Sequence, residues 1–145
     1  MTSIHDFEIM APVGSRDSLA AALKAGADSV YFGVEQLNMR SHSANHFTLD
    51  DLRDIAAECR RHGVKSYLTV NTIIYGEDID TMHRIIDAAR EAGITAVIAS
   101  DVAVMQYCRQ PLASGLPPME VHLSTQLNIS NIEALRFYAQ FADVV

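Results

Sequence analysis

The sequence predicts an α/β fold on a parallel sheet, and three observations carry that prediction. Short runs rich in β-branched and aromatic residues alternate with amphipathic helical stretches from one end of the chain to the other. Three of the helical stretches close on a glycine just before the next β run, at Gly26, Gly63 and Gly93, where a left-handed helix end is easiest for glycine. With 145 residues, 49% of them hydrophobic and 20% charged, the chain has the composition of a globular domain with its own core.

In chain order, the β runs are EIMAP (residues 8–12), DSVYFG (28–33), KSYLTVN (65–71), TAVIAS (95–100) and MEVHLS (119–124), and ADVV (142–145) begins a sixth. Between them, Leu49, Leu52, Ala56 and Cys59 share one helical face, as do Ile79, Met82, Ile86 and Ala89. Thr48 with Asp51 and Ser130 with Glu133 have the spacing of a capping box, which marks helix starts. Strict alternation of β and α implies parallel strands, right-handed crossovers and helices outside. Two architectures satisfy it, an open doubly wound sheet and a (β/α) barrel. A barrel takes about 250 residues and eight strands, whereas this chain supplies five and starts a sixth. Val145 therefore reads as a cut, and a bare parallel edge is an association hazard. The expectation is the N-terminal portion of a larger domain, whose open edge is met by a missing C-terminal part or by a second chain.

Sites in parallel α/β folds lie at the C-terminal ends of strands. In the fifth run, Val121 and Leu123 share one face while His122 and Ser124 share the other, with Gln126 following if the strand continues. In the third run, Leu68 and Val70 oppose Tyr67, Thr69 and Asn71. Both strands turn apolar side chains to the helices and polar ones inward, and LSTQLN is where the strand leaves its packing for a pocket. A structural reading stands beside this one: Asn128, Ser130 and Asn131 suit turns and caps, and Asp101 suits the N-cap of a helix running to Cys108. The connection at residues 34–47 is longer than the usual βα loop of about 2–6 residues. It carries Arg40, a cation able to hold a carboxylate or phosphate in bidentate fashion, or to pair with Glu35.

Several chemistries lack their residues. No GxSxG elbow, HExxH, Walker loop or GxGxxG is present. Lys24 and Lys65 fall at the wrong end of the fold for Schiff-base work, and Gly14 in PVGS reads as a tight turn. His42 and His46 have HxxxH spacing in a loop, where a metal lacks further ligands. Cys59 and Cys108 lie far apart in helices and read as buried thiols. A net charge of −7 offers no broad basic surface to a nucleic acid backbone. Without a long apolar run or a signal-peptide plan at the N-terminus, no membrane partner is expected and the expected compartment is the cytoplasm.

Six stretches together resemble the bacterial peptidase family U32, the collagenase-like proteases: MAPVGS (10–15), AGADSVYFG (25–33), NMRSHSANHFTLDDL (38–52), HGVKSYLTVNT (62–72), AVIASD (96–101) and VHLSTQLNISN (121–131). Val13 and an additional His46 depart from the family pattern, and neither touches a strand-end polar position. The resemblance implies a TIM-barrel-like (β/α) repeat, with this chain as its N-terminal portion of about five strands and a partial sixth. It implies one of two activities. The first is a peptidase acting on protein or peptide, with His122 and Ser124 as the catalytic candidates. The second is an oxygen-independent hydroxylation factor for RNA bases or quinone, with an iron–sulfur cluster held by cysteines outside this chain. The candidate substrate-binding set is Arg40, Asn45, Asn71, Asp101, Gln126 and Asn128, and no metal ligand is assigned within the chain. A non-catalytic segment that dimerises through its open edge is the third expectation.

Overall fold

The computed structural model describes residues 7–34, 37–38, 47–111, 115 and 118–145. Five strands, β1 (Met10–Pro12), β2 (Ser29–Phe32), β3 (Lys65–Val70), β4 (Ala96–Ala99) and β5 (Glu120–Leu123), form one sheet in the order β1-β2-β3-β4-β5, every pair parallel. The helices between and after them are α1 (Arg16–Lys24), α2 (Leu52–Arg61), α3 (Ile79–Ala92), α4 (Val102–Arg109) and α5 (Ile132–Tyr138). A sixth strand opens beside β5. His122 bridges Val144, Asp143 N donates to Val121 O at 2.8 Å and Leu123 N donates to Val144 O at 2.9 Å.

The strand order decides between the two architectures left open by periodicity. A doubly wound sheet reverses its winding at a switch point, which puts non-consecutive strands side by side. Here each strand neighbours the next in sequence, as in a barrel wall. The packing agrees, because Val30, Phe32, Leu68, Val70, Val97 and Val121 share one buried cluster with Ile55, Met82, Ile86, Val104 and Met105 of the helices. The opposite strand face, with Tyr31, Thr69, Ile98 and His122, lines an open cavity instead. The fold is a TIM-barrel-like (β/α) repeat.

Local chemistry explains the element ends. Gly26, Gly63 and Gly93 all adopt positive φ, between 67° and 82°, at the helix ends where the sequence places them. Before α1, the N–H groups of Gly14 and Ser15 both donate to Ser18 Oγ, at 3.0 and 2.9 Å, so PVGS is a closed turn. Asp51 reaches back to Thr48 N at 2.8 Å, as the capping pattern requires, although a short 3₁₀ turn over Leu49–Asp51 precedes α2. The Ser130–Glu133 box does not form. Asn131 caps α5 instead, its Oδ1 accepting from Glu133 N and Ala134 N at 3.1 and 2.9 Å. Serine and asparagine are near-equal caps, and the helix begins one residue later than the box needs.

Gly33, just after β2, is fixed by a close approach. A Cβ there would sit 2.2 Å from Asn38 Cγ, and Asn38 is buried with its Nδ2 donating to Val34 O at 3.0 Å. Gly33→Ala is expected to destabilise the chain by about 1–3 kcal/mol, the usual cost of overpacking. Asn38→Ala in the same background should recover part of that loss in a urea-unfolding series. Equal midpoints for wild type and Gly33→Ala would refute the crowding.

Candidate functional site

The inward face is built by register. Tyr31, Tyr67, Ala96 and Glu120 form one row across β2 to β5, and Thr69, Ile98 and His122 form the next row toward the strand ends. Because partners in a parallel ladder point to the same side, these rows share one face. Above them lies a cavity of about 310 Å³ lined by Tyr31, Thr69, Asn71, Ile98, His122 and Ser124 among others. A second cavity, about 600 Å³, opens at the strand mouth against Asn71, Thr72, Tyr75, Ser100, Asp101 and Gln126. Asn71 belongs to both.

His122 is held by its neighbour two residues back on the same face. Its Nε2 lies 2.8 Å from Glu120 Oε1, and its ring packs against Tyr67 with centroids 4.7 Å apart. A carboxylate oxygen only accepts, so Nε2–H is the donor and Nδ1 is the nitrogen left to take a proton. Ser124 is 6% exposed, and its Oγ accepts from Gln126 N at 3.4 Å. The structure thus brings His122 and Ser124 to one cavity and adds Glu120, which sequence reasoning missed. The signal was present in the alternation, since Glu120, His122 and Ser124 occupy every second position.

The other predicted residues divide. Asp101 is the N-cap of α4, its Oδ1 accepting from Ala103 N at 2.8 Å, and its Oδ2 accepts from Ile74 N at 3.1 Å. Both carboxylate oxygens therefore bind backbone while the residue lines the mouth. Gln126 does not continue the β5 face, because Thr125–Leu127 turn into a 3₁₀ segment; it lines the mouth cavity instead. Asn128 ends that turn with φ 51°, and its Nδ2 donates to Gln126 O at 3.2 Å. Arg40 and Asn45, with the His42–His46 pair, lie outside the described residues. Thr72 is a further mouth residue that sequence reasoning missed. Its Oγ1 is buried with no hydrogen-bond partner among the described residues.

Below the cavity, toward the strand starts, the inward face is also polar. Lys65 Nζ donates to Glu8 Oε2 at 2.8 Å and Tyr67 OH donates to Glu8 Oε1 at 2.6 Å. Burial alone would raise the Glu8 carboxyl, but these hydrogen bonds outweigh it and draw it down to about 2. The Tyr67 hydroxyl moves up, through burial first and the Glu8 bond second. A carboxyl depressed in the folded state adds stability above its unfolded value near 4.5 and loses it as pH falls toward 2. The urea midpoint of the wild type should therefore drop more steeply across that window than that of Glu8→Gln. Parallel pH profiles for the two proteins would remove Glu8 from the acid response.

The sequence profile described as "Peptidase family U32" matches residues 14–144. The chain belongs to peptidase family U32. Its U32 relatives include a protein named collagenase from Porphyromonas gingivalis, 66% identical over 143 residues, which are 99% of this chain and 33% of that protein. A second, tRNA hydroxylation protein P1 of Bacillus subtilis, is 31% identical over 133 residues, 92% of this chain and 30% of its own. The chain spans about a third of the length of these curated relatives. A U32 peptidase of known structure superposes with a TM-score of 0.71 at 10% identity, over 93% of this chain and 55% of that one, which is agreement in fold.

The family resemblance implies an iron–sulfur cluster held by cysteines outside this chain. Cys59 and Cys108 are buried separately on α2 and α4, and burial pushes their thiols up to about 11 and about 12. Ligation needs thiolates, and no group of three or more His, Cys, Asp or Glu among the described residues could hold a metal. The described residues do not fit a cluster. Among the described residues no helix is long and apolar enough to cross a membrane.

Proposed function

We propose that this chain is the N-terminal, site-bearing part of a barrel peptidase that cleaves protein or peptide substrates. The observation that carries the reading is the 2.8 Å contact between Glu120 and His122, with Ser124 next on the same face against a cavity. Residues two apart on a strand have Cα atoms roughly 6–7 Å apart, so a hydrogen bond between His122 Nδ1 and Ser124 Oγ needs a Ser124 rotamer turned toward the ring. Ser124 Oγ then attacks the scissile carbonyl as its proton passes to His122 Nδ1. The same proton goes on to the leaving amine, and water releases the acyl group by the reverse route. Glu120 holds the tautomer. Asn71, Thr72, Gln126 and Asn128 offer hydrogen-bonding groups to an extended peptide, and Arg40 and Asn45 complete the proposed substrate-binding set. The name of the Porphyromonas relative supports the substrate class. The compartment proposed for this activity is the cytoplasm.

The test is cleavage of gelatin and of short peptides by the protein that carries this chain. Ser124→Ala and His122→Ala should each lower kcat by about a thousandfold or more, while unchanged cleavage in both would end the proposal. The barrel is completed across the open edge by the rest of that protein or by a second chain, and mass as a function of concentration separates those arrangements.

A second reading follows from the Bacillus relative, whose name attaches it to tRNA hydroxylation. In that reading Arg40, Asn71, Asp101 and Gln126 hold a base or a small acidic co-substrate, and the cluster is bound by residues outside this chain. Stoichiometric iron and acid-labile sulfide in protein purified without oxygen would favour it over proteolysis.

A further inference from the structure

The segment after β3 is anchored along its backbone. Ile74 N donates to Asp101 Oδ2 at 3.1 Å, and Tyr75 N donates to Asp78 Oδ2 at 3.0 Å just before α3. The Ile74 side chain packs against the core. Its neighbours Ile73 and Tyr75 are instead 68% and 62% exposed. Both line the mouth cavity of about 600 Å³, together with Leu127. Exposed apolar side chains are ordinary when scattered singly. Here two large ones on a fixed backbone share one concave wall, in a volume within the range of ligand sites, about 300–1,000 Å³.

Charge and position narrow the ligand. Among the described residues, Asp101 is the one charged group on this wall. Both of its oxygens accept backbone N–H groups, one of them in the first turn of α4, and the positive end of that helix offsets the carboxylate. An acidic ligand therefore meets no cation here, and a basic one meets a carboxylate already engaged. β3 is paired on both sides, by β2 and β4. The wall thus belongs to the interior of the sheet and not to an open edge that another chain extends.

We propose that this wall is a specificity pocket for a large apolar side chain of the peptide, with Ile73 and Tyr75 as the selecting residues. The assignment rests on the peptidase reading for the nature of the ligand and adds what the substrate carries. Asn71 lines both this cavity and the one at His122 and Ser124, so the selected side chain belongs to a residue close to the scissile bond.

The test uses blocked pentaglycine peptides carrying leucine, alanine, lysine or glutamate at the central position. Dissociation constants are measured by calorimetric titration of the protein that carries this chain, and cleavage of the same peptides is followed separately. The leucine peptide should bind about tenfold or more tighter than the other three, the effect of burying one such side chain. The double variant Ile73→Ser/Tyr75→Ser should bring the four affinities close together. Both side chains are exposed, so the variant is expected to fold, and the wild-type ranking is decisive without it. Equal affinities, a preference for lysine or glutamate, a leucine preference that survives in the double variant, or no saturable binding would overturn the pocket. Leucine selectivity that depends on Ile73 and Tyr75 in the absence of cleavage keeps the pocket and removes the peptidase reading. Cleavage indifferent to the central residue does the reverse.

Discussion

Glu120→Gln is expected to lower kcat on a peptide substrate by about a hundredfold to ten-thousandfold, the range seen when the carboxylate behind a catalytic histidine is replaced. The reasoning is electrostatic and tautomeric. As a carboxylate, Glu120 accepts only, so it fixes the proton on His122 Nε2 and leaves Nδ1 as the base. A glutamine offers a donor and an acceptor at nearly the same shape, so it permits the other tautomer and no longer stabilises the imidazolium that forms during attack. The loss should fall on kcat with KM nearly unchanged, because Glu120 lies at the strand start, away from the mouth that binds substrate. Stability should hardly move, since the side chain is 46% exposed and such pairs contribute little to folding. A variant that keeps full kcat, or that loses activity in step with its folded fraction, would remove Glu120 from the mechanism.

The second large effect is structural. Asp101→Ala should cost about 2–4 kcal/mol, combining a lost helix cap with a lost charge-assisted hydrogen bond. The two bonds do different work. Oδ1 closes the first turn of α4 through Ala103 N, whereas Oδ2 ties down Ile74 N in the segment after β3 that walls the mouth cavity. Asp101→Asn keeps one acceptor and should retain about half of the stability, read as the urea midpoint at constant slope. A fall of less than about 0.5 kcal/mol in Asp101→Ala, the range of ordinary surface changes, would show that the clamp contributes little and would return the carboxylate to substrate binding.

The strands, the helix faces and the inward polar face were legible in the sequence. Their signals are local and periodic, a two-residue alternation in β3 and β5 and a three-to-four-residue spacing in α2 and α3. The cap of α5 was not legible to the residue, because Ser130 and Asn131 are nearly equal candidates and the chain's exit from the Asn128 turn selects between them. The end of β5 was misplaced for a related reason. Nothing in Thr125 or Gln126 forbids a strand, and the turn forms where Ser124 Oγ accepts the Gln126 N–H. Glu120 could have been found from alternation alone, but a single acidic residue at a strand start carries no chemistry until its partner is known.

By itself, the sequence determined that β and α alternate, that glycines close three helices and which side chains of β3 and β5 face the helices, because each property depends on residues within a few positions. Tertiary structure alone decided that consecutive strands pair as a barrel wall. It also joined Glu8 to Lys65 and Tyr67, set Asp101 across the mouth to Ile74, and brought Arg90 Nη2 to the last carbonyls of α4. Those contacts join residues far apart in the chain, and their energies depend on distance and burial that no local pattern encodes.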